Sequence, residues 1–412
     1  MRSEERSNLV LAFARLLFVN GQTTDETLSA AERLGQTLGL HIKIIPRWGE
    51  LHCQAEDKDA KLSSTVAADP TGVNMNRVVS AMHTVDDLGA GRLATNAAMA
   101  AIGEISQTPP VPTWLFTFAA AAGAVALAVL FGIHHLSAAV LIFVSAAVGA
   151  ILRRSVAQYS ANVFIQPFCA ALLAGLIGAL AVRYELSSSL RLVAVCPCMV
   201  LVPGPHILNS LLDLINGRMH LGASRLLYAG IVVVAISTGL LLGLALLGVS
   251  LPVDPAGRAV PLWQDVIAAG VAVASYSVFY SMPLSMFAWP VVVGMIAHAL
   301  RWGTIDLLGS SAATGTFVAC LFVGLVLTPV AHRWHMPFAA IGFASVVSMI
   351  PGVFLFRMAS GFVQLAGGSN TTLEIIGATI ADGVVAVTVI LAMAFGLVIP
   401  KIAIDRLSDL NN

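Results

Sequence analysis

The chain beyond Pro112 is dominated by apolar segments, each long enough to cross a bilayer as a helix. A helix rises about 1.5 Å per residue, so about 20 residues cross a hydrocarbon core of about 30 Å. The sequence is 58% hydrophobic and 11% charged, whereas soluble domains carry about 25% charged residues. The pattern predicts an α-helical polytopic membrane protein of about ten spans, at Trp114–Phe131, Leu136–Leu152, Val163–Val182, Leu190–Ile215, Leu226–Leu247, Val266–Tyr280, Leu284–Leu300, Ala312–Ala331, Phe338–Leu365 and Leu373–Ile399.

Residues 1–112 have a different composition, with 10 of the 22 Lys and Arg and 13 of the 22 Asp and Glu. Pro109, Pro110 and Pro112 mark the end of this region. The apolar stretch Leu9–Val19 contains Arg15 and no cleavage site follows it, so it predicts an amphipathic helix rather than a leader. Residues 1–112 are therefore predicted to form a small soluble α+β domain, with helices at Thr23–Gly39, Asn74–Leu88 and Thr95–Ser106, a strand at His41–Pro46 and a hairpin at Leu51–Ala55 and Leu62–Ala67.

Charge and motifs exclude several classes of function. The formal net charge is zero, so the chain lacks the basic field that nucleic-acid binding uses. Four of the five cysteines lie in apolar runs, and the histidines and cysteines show no metal-ligand spacing, so we expect no cofactor and no metal. Neither a GxSxG nor an HExxH motif is present. An enzyme is not predicted.

Basic residues in short loops indicate the orientation of a membrane protein. Placing the N-terminus inside puts one set of cations in the cytoplasm and a smaller set outside. The bias predicts that both termini are cytoplasmic in a multi-pass protein of the bacterial cytoplasmic membrane. The inside set is Arg153, Arg154, Arg218, Arg225, Arg333, Lys401 and Arg406, and the outside set is Arg183, Arg191, Arg258 and Arg301.

Two Pro-Gly pairs lie in the middle of apolar segments, Pro203-Gly204 in the fourth span and Pro351-Gly352 in the ninth. Corresponding breaks in two groups of five spans indicate a duplication. A unit with an odd number of spans re-enters the membrane with opposite orientation, and such inverted repeats recur in secondary transporters. We therefore predict two five-helix repeats, over residues 113–250 and 251–412.

The Pro-Gly pairs predict a binding site. Pro removes a backbone donor and Gly tolerates unusual dihedral angles, so the pair can split a membrane helix into two halves. Free amides at the start of the second half then form a partial positive charge that suits a carboxylate. The alternative interpretation is a proline kink that binds nothing.

Polar residues near these breaks are candidates for the same site. Asn209 follows Pro203 by the spacing at which Arg357 follows Pro351, and Asp213 lies one helical turn beyond Asn209. Asp382 stands within the last span. Intramembrane charges are costly and usually face a partner or a pathway. Two alternatives remain open: Arg357 and Asp382 form a purely structural pair, and Asp213 is solvated at the membrane interface.

The order of several short motifs resembles the threonine/serine exporter family, in which a cytoplasmic domain precedes ten spans. The resemblance covers nearly the whole chain, and its specificity lies in the order of the motifs rather than in any one of them. The motifs are Asn20-Gly21-Gln22-Thr23-Thr24, Ala31-Glu32-Arg33-Leu34-Gly35, Gly72-Val73-Asn74, Leu201-Val202-Pro203-Gly204, Leu211-Leu212-Asp213 and Ser348-Met349-Ile350-Pro351-Gly352.

The resemblance implies export of small hydroxy amino acids, driven by the proton-motive force. Arg357 and the half-helix starts would bind the substrate carboxylate, Asp213 or Asp382 would accept its ammonium group, and Asp382 would carry the coupling proton. The expected partners are a small molecule, protons and membrane lipids, and a homo-oligomer is compatible with the sequence. The alternatives are a dicarboxylate exporter and, from another class, a membrane-anchored enzyme or sensor acting through the front domain. A channel would need a filter-like repeat, which the sequence lacks.

Overall fold

The computed structural model of the protein describes residues 2–57, 60–133, 135–184, 186, 190–251, 260–334, 336–367 and 372–410. Arg258, part of the orientation argument, lies outside these residues. The described chain is mostly helical, with one three-stranded sheet near the N-terminus. The predicted polytopic helical membrane protein with a front α+β region is therefore confirmed.

The elements before the first span, which we call the front domain, comprise four helices packed around an antiparallel sheet of order β1-β2-β3. Leu9, Phe13 and Leu17 on one face of the first helix are fully buried, and this helix packs on β2 and β3. Its apolar residues therefore form the domain core. The elements are α1 (Ser3–Val19), α2 (Thr24–Thr37), β1 (His41–Arg47), β2 (Gly49–Asp57), β3 (Ala60–Ala68), α3 (Met75–Gly89) and α4 (Thr95–Gln107).

All five cysteines are free, and four of them are buried. Cys53 lies on β2, opposite Ile44 of β1. Burial raises the pKa of the Cys53 thiol. A buried neutral thiol is inert and packs as a small apolar side chain.

Eight helices are long and apolar enough to cross a membrane, and the number rises to ten if each of two bent helix pairs counts as one span. The ten predicted spans coincide with these helices. The unbroken spans are α5 (Thr113–Leu130), α6 (Leu136–Tyr159), α7 (Ile165–Arg183), α10 (Met219–Ala245), α11 (Leu262–Phe279), α12 (Ala288–Trp302, the central part of the helical segment Leu284–Leu307), α13 (Ala312–Trp334) and α16 (Leu373–Leu410). The bent pairs are α8 (Leu190–Met199) with α9 (Gly204–Ile215), and α14 (Phe338–Val346) with α15 (Gly352–Ala366).

Several helices extend beyond the predicted span. Arg153 and Arg154 lie inside α6, and α16 continues through Lys401, because hydropathy detects only the apolar part of a helix. Arg225, predicted in a loop, lies inside α10 and is 1% exposed. That loop assignment was wrong.

The C-terminal ends of α11 and α16 lie next to the front domain. The backbone N–H of Met75 donates to Tyr280 O at the end of α11, at 2.9 Å. Near the end of α16, Lys401 Nζ lies 3.3 Å from Glu26 Oε1 of α2. We call this the domain side, and the opposite surface the far side.

Helix α7 packs closely on α10, and α13 packs in the same way on α16. Glycines permit the first contact, because a Cβ added to Gly243 would lie 2.3 Å from Leu172 O, and one added to Gly239 would lie 2.3 Å from Phe168 O. Small residues allow such close approach between membrane helices.

We expect Gly243→Ala to lower the free energy of unfolding by about 1–3 kcal/mol, because the added methyl group forces the two backbones apart. Thermal unfolding in detergent measures the change. Gly230→Ala is the matched control, since Gly230 lies on the same helix with no atom within 4 Å of an added Cβ. Equal melting temperatures for the two variants would contradict the packing argument.

Candidate functional site

The two bent spans contact each other at their breaks. The α8–α9 pair bends by 56° and the α14–α15 pair by 53°. A Cβ added to Gly204 would lie 2.4 Å from Ile350 Cδ1, and one added to Gly352 would lie 3.1 Å from Met199 Cγ. Ile350 and Met199 belong to the opposite break in each case. The structure therefore brings the two predicted Pro-Gly pairs together.

The first turn of α9 does not present the predicted row of free amides. Gly204 N donates to Val202 O at 2.9 Å, and His206 N donates to Pro203 O at 3.1 Å. Pro205, between them, has no N–H. Local turn bonds therefore satisfy the start of this half-helix.

The start of α15 repeats the first of these bonds, since Gly352 N donates to Ile350 O at 2.8 Å, but the amides that follow differ. Leu355 N donates to Pro351 O at 3.1 Å. For the amides of Val353 and Phe354, the described part of the chain supplies no backbone acceptor. The partial positive charge expected from the sequence is thus present at the second break and reduced at the first.

A cavity of about 210 Å³ lies on the domain side of the first break. Residues of α5, α6, α7, α9, α10 and α11 line it, and residues 71–73 of the front domain border it. Within the described residues, no acidic side chain lines this cavity. We call it the break cavity, and its polar lining consists of Thr71, Arg153, His206, Tyr228 and Tyr280.

Asn209 and Asp213 face the domain side. Asn209 Nδ2 donates to Gly21 O of the front domain at 3.3 Å. Asp213 Oδ2 lies 3.2 Å from Arg225 Nε, and Asp213 Oδ1 lies 3.5 Å from Arg218 Nη1. Asp213 is 1% exposed, so the alternative of a solvated Asp213 was wrong.

The loop between α1 and α2 forms the other half of this contact. Gln22, Thr23 and Thr24 are all buried, and Arg225 Nη2 donates to Thr24 Oγ1 at 3.4 Å. These residues belong to the first motif of the family resemblance. The front domain therefore inserts a loop beside the buried ion pair.

Arg357 and Asp382 form an ion pair between α15 and α16. Arg357 Nε lies 3.0 Å from Asp382 Oδ2, and each side chain is 9% exposed. Both residues lie beyond the second break, toward the far side. Asn209 and Arg357 thus contact different elements, although their spacing predicted one shared site.

The structure contains a second group of buried, hydrogen-bonded polar residues that the sequence did not predict. His298 Nδ1 lies 3.1 Å from Asp265 Oδ2, and His298 Nε2 lies 2.8 Å from Ser348 Oγ. All three side chains are buried. Ser348 lies just before the second break, so these contacts run from the far-side end of α11 to that break. The available signal was a histidine inside an apolar run, which is rarely placed there without a role.

Two broken helices that meet inside a polytopic bundle are the architecture of secondary transporters. Two family models match this chain: a threonine/serine exporter model over residues 8–247 and "Threonine/Serine exporter, ThrE" over residues 265–403. The chain therefore belongs to the threonine/serine exporter family, whose members are membrane transporters rather than enzymes.

A curated relative supports this membership. The chain is 26% identical over 328 residues to a Mycobacterium tuberculosis protein named "Probable threonine/serine exporter". The match covers 75% of this chain and 60% of that protein's length. No solved structure matches the chain.

Proposed function

We propose that the protein exports threonine and serine across the bacterial cytoplasmic membrane, driven by the proton-motive force. The observation that carries the proposal is the contact between the two broken spans in a chain of this family. Half-helix ends near the middle of a membrane are typical of substrate sites in secondary transporters. The coupling ion and the orientation are parts of this proposal.

The site consists of the two breaks and the polar residues that follow them. Pro203, Gly204, Pro351 and Gly352 shape the crossing. Asn209 and Asp213 follow the first break toward the domain side, and Arg357 follows the second toward the far side. We assign Asp382 as the proton-coupling group, because its carboxylate is buried within the membrane domain and pairs with Arg357.

The division into residues 1–112, 113–250 and 251–412 belongs to the same proposal. Equivalent helix pairs pack in both membrane parts, α7 with α10 and α13 with α16, and α9 with α10 and α15 with α16. The breaks also contact each other reciprocally. These correspondences support two inverted five-helix repeats around the substrate site.

We place the domain side, with both termini, in the cytoplasm. Arg154 and Arg218 lie near the domain-side ends of their helices. Arg225 no longer counts toward the loop bias, because it is buried. The remaining bias keeps the same sign.

Transport by the purified protein in lipid vesicles tests the function. We expect an imposed proton gradient to drive labelled threonine and serine across the vesicle membrane, and succinate to remain where it was loaded. A protonophore control should abolish the movement. Movement of succinate but not of threonine would overturn the substrate, and gradient-independent movement would overturn the coupling.

A further inference from the structure

We propose that the break cavity binds the carboxylate of the exported amino acid, with Arg153 as its cation and Tyr280 and His206 as its hydrogen-bonding groups. The inference rests on the proposed function and adds the substrate contacts to it. None of these three residues is among those the sequence singled out for the site. Their location on the domain side makes this the place where a cytoplasmic substrate would load.

Arg153 is a cation without a counter-ion. No carboxylate or hydrogen-bond acceptor of the described chain pairs with its guanidinium, which lies 5.1 Å from the centre of the Phe279 ring. The adjacent Arg154 is engaged, since it donates to Val111 O at 2.7 Å and to Thr113 Oγ1 at 3.0 Å. Arginine binds carboxylates in two-point contacts, so Arg153 suits an anionic ligand.

Two buried polar atoms in the same cavity lack partners. Tyr280 is 5% exposed and His206 is 8% exposed. The Tyr280 hydroxyl and His206 Nδ1 have no hydrogen-bond partner among the described residues, although the His206 imidazole lies against the backbone of Pro70 and Thr71. Buried polar groups are rarely left without a partner, and leaving one so costs free energy. A bound polar molecule would satisfy both atoms.

The chemistry of the lining limits the ligand to a small monocarboxylate with further polar groups. Among the described residues, Arg153 is the one cation that lines the cavity, which matches one carboxylate, and a dicarboxylate would leave a buried negative charge. The cavity volume of about 210 Å³ is about the volume that seven water molecules occupy in the liquid. The tyrosine hydroxyl and the imidazole nitrogen can bond the hydroxyl or ammonium of threonine or serine.

The position of the cavity explains how the ligand would reach the breaks. Pro203 and Pro205 line it beside the first break, and residues 71–73 of the front domain lie on its border. Gly72 itself packs tightly, since an added Cβ would lie 2.9 Å from Val19 O. In the docked domain, the front-domain loop therefore forms one wall of the cavity.

Equilibrium binding of labelled L-threonine to the purified full-length protein tests the assignment. We expect Arg153→Gln to weaken binding about 10- to 100-fold and Tyr280→Phe to weaken it about tenfold. L-threonine amide, which lacks the carboxylate, should bind wild type and Arg153→Gln equally weakly. Equal affinities for the amide would show that Arg153 contacts the substrate carboxylate. A purely structural role of Arg153 would weaken binding of the amide by the variant as well.

Matched controls lie beside each residue. Arg154→Gln removes a neighbouring cation that does not line the cavity, and Tyr276→Phe removes a buried hydroxyl that donates to Met199 O instead. Both controls should keep wild-type affinity. Wild-type affinity in Arg153→Gln and Tyr280→Phe, together with intact transport, would overturn the cavity assignment and leave the exporter standing. Absence of threonine and serine binding by the wild type would overturn the proposed function as well.

Discussion

Replacement of Asp213 with alanine is expected to lower the free energy of unfolding by about 3–5 kcal/mol, because it leaves a buried arginine without its carboxylate. That arginine, Arg225, is the largest fully buried side chain of the described residues. Thermal unfolding of the purified protein in detergent measures the loss. Protease sensitivity of the linker at residues 108–112 reports whether the front domain undocks at the same time.

The control for this prediction is Asp25→Ala. The Asp25 side chain is 42% exposed and pairs with Arg218, and exposed ion pairs contribute about 0–1 kcal/mol. The double variant Asp213→Leu with Arg225→Met should recover most of the stability, since no buried charge remains. If Asp213→Ala keeps wild-type stability but loses threonine binding, Asp213 is a substrate residue instead of the structural partner of Arg225.

Replacement of Asp382 with asparagine is expected to leave threonine binding intact and to abolish gradient-driven transport, because the proposed coupling proton loses its carrier. Asparagine keeps the shape of the side chain and cannot take up a proton. Arg357→Ala should impair the same step, because it removes the cation that holds the carboxylate. Vesicle transport with and without a proton gradient measures the effect.

Glu374→Gln is the matched control on the same helix, because Glu374 is exposed in the first turn of α16. It should transport at the wild-type rate. Full gradient-driven transport by Asp382→Asn would remove Asp382 from the coupling step. His298→Gln would then be the next variant to measure, since His298 and Asp265 form the other buried titratable pair on the far side.

The spans and the front-domain elements were predictable because each depends on local sequence. A run of apolar residues crosses a bilayer whatever its neighbours are, and the helices and strands of the front domain follow local patterns as well. The breaks were equally local, since proline and glycine act on their own backbone.

The pairing of polar groups was not predictable, because it depends on which helices become neighbours. Arg225 had the sequence context of a loop cation, and only the adjacent α9 gives it a buried carboxylate. Asp265 and His298 lie on different helices, and no motif connects them. The break cavity requires residues from six helices and the front domain. Tertiary packing therefore decides these contacts, and spacing along the chain does not reveal them.

The short connection between α4 and α5 sets how strongly the front domain must bind. Residues 108–112 tether the domain directly to the first span. A short tether holds a binding partner at an effective concentration on the order of millimolar. Docking that would be too weak to hold two separate proteins together is therefore sufficient here, and the domain can release and rebind without leaving the transporter.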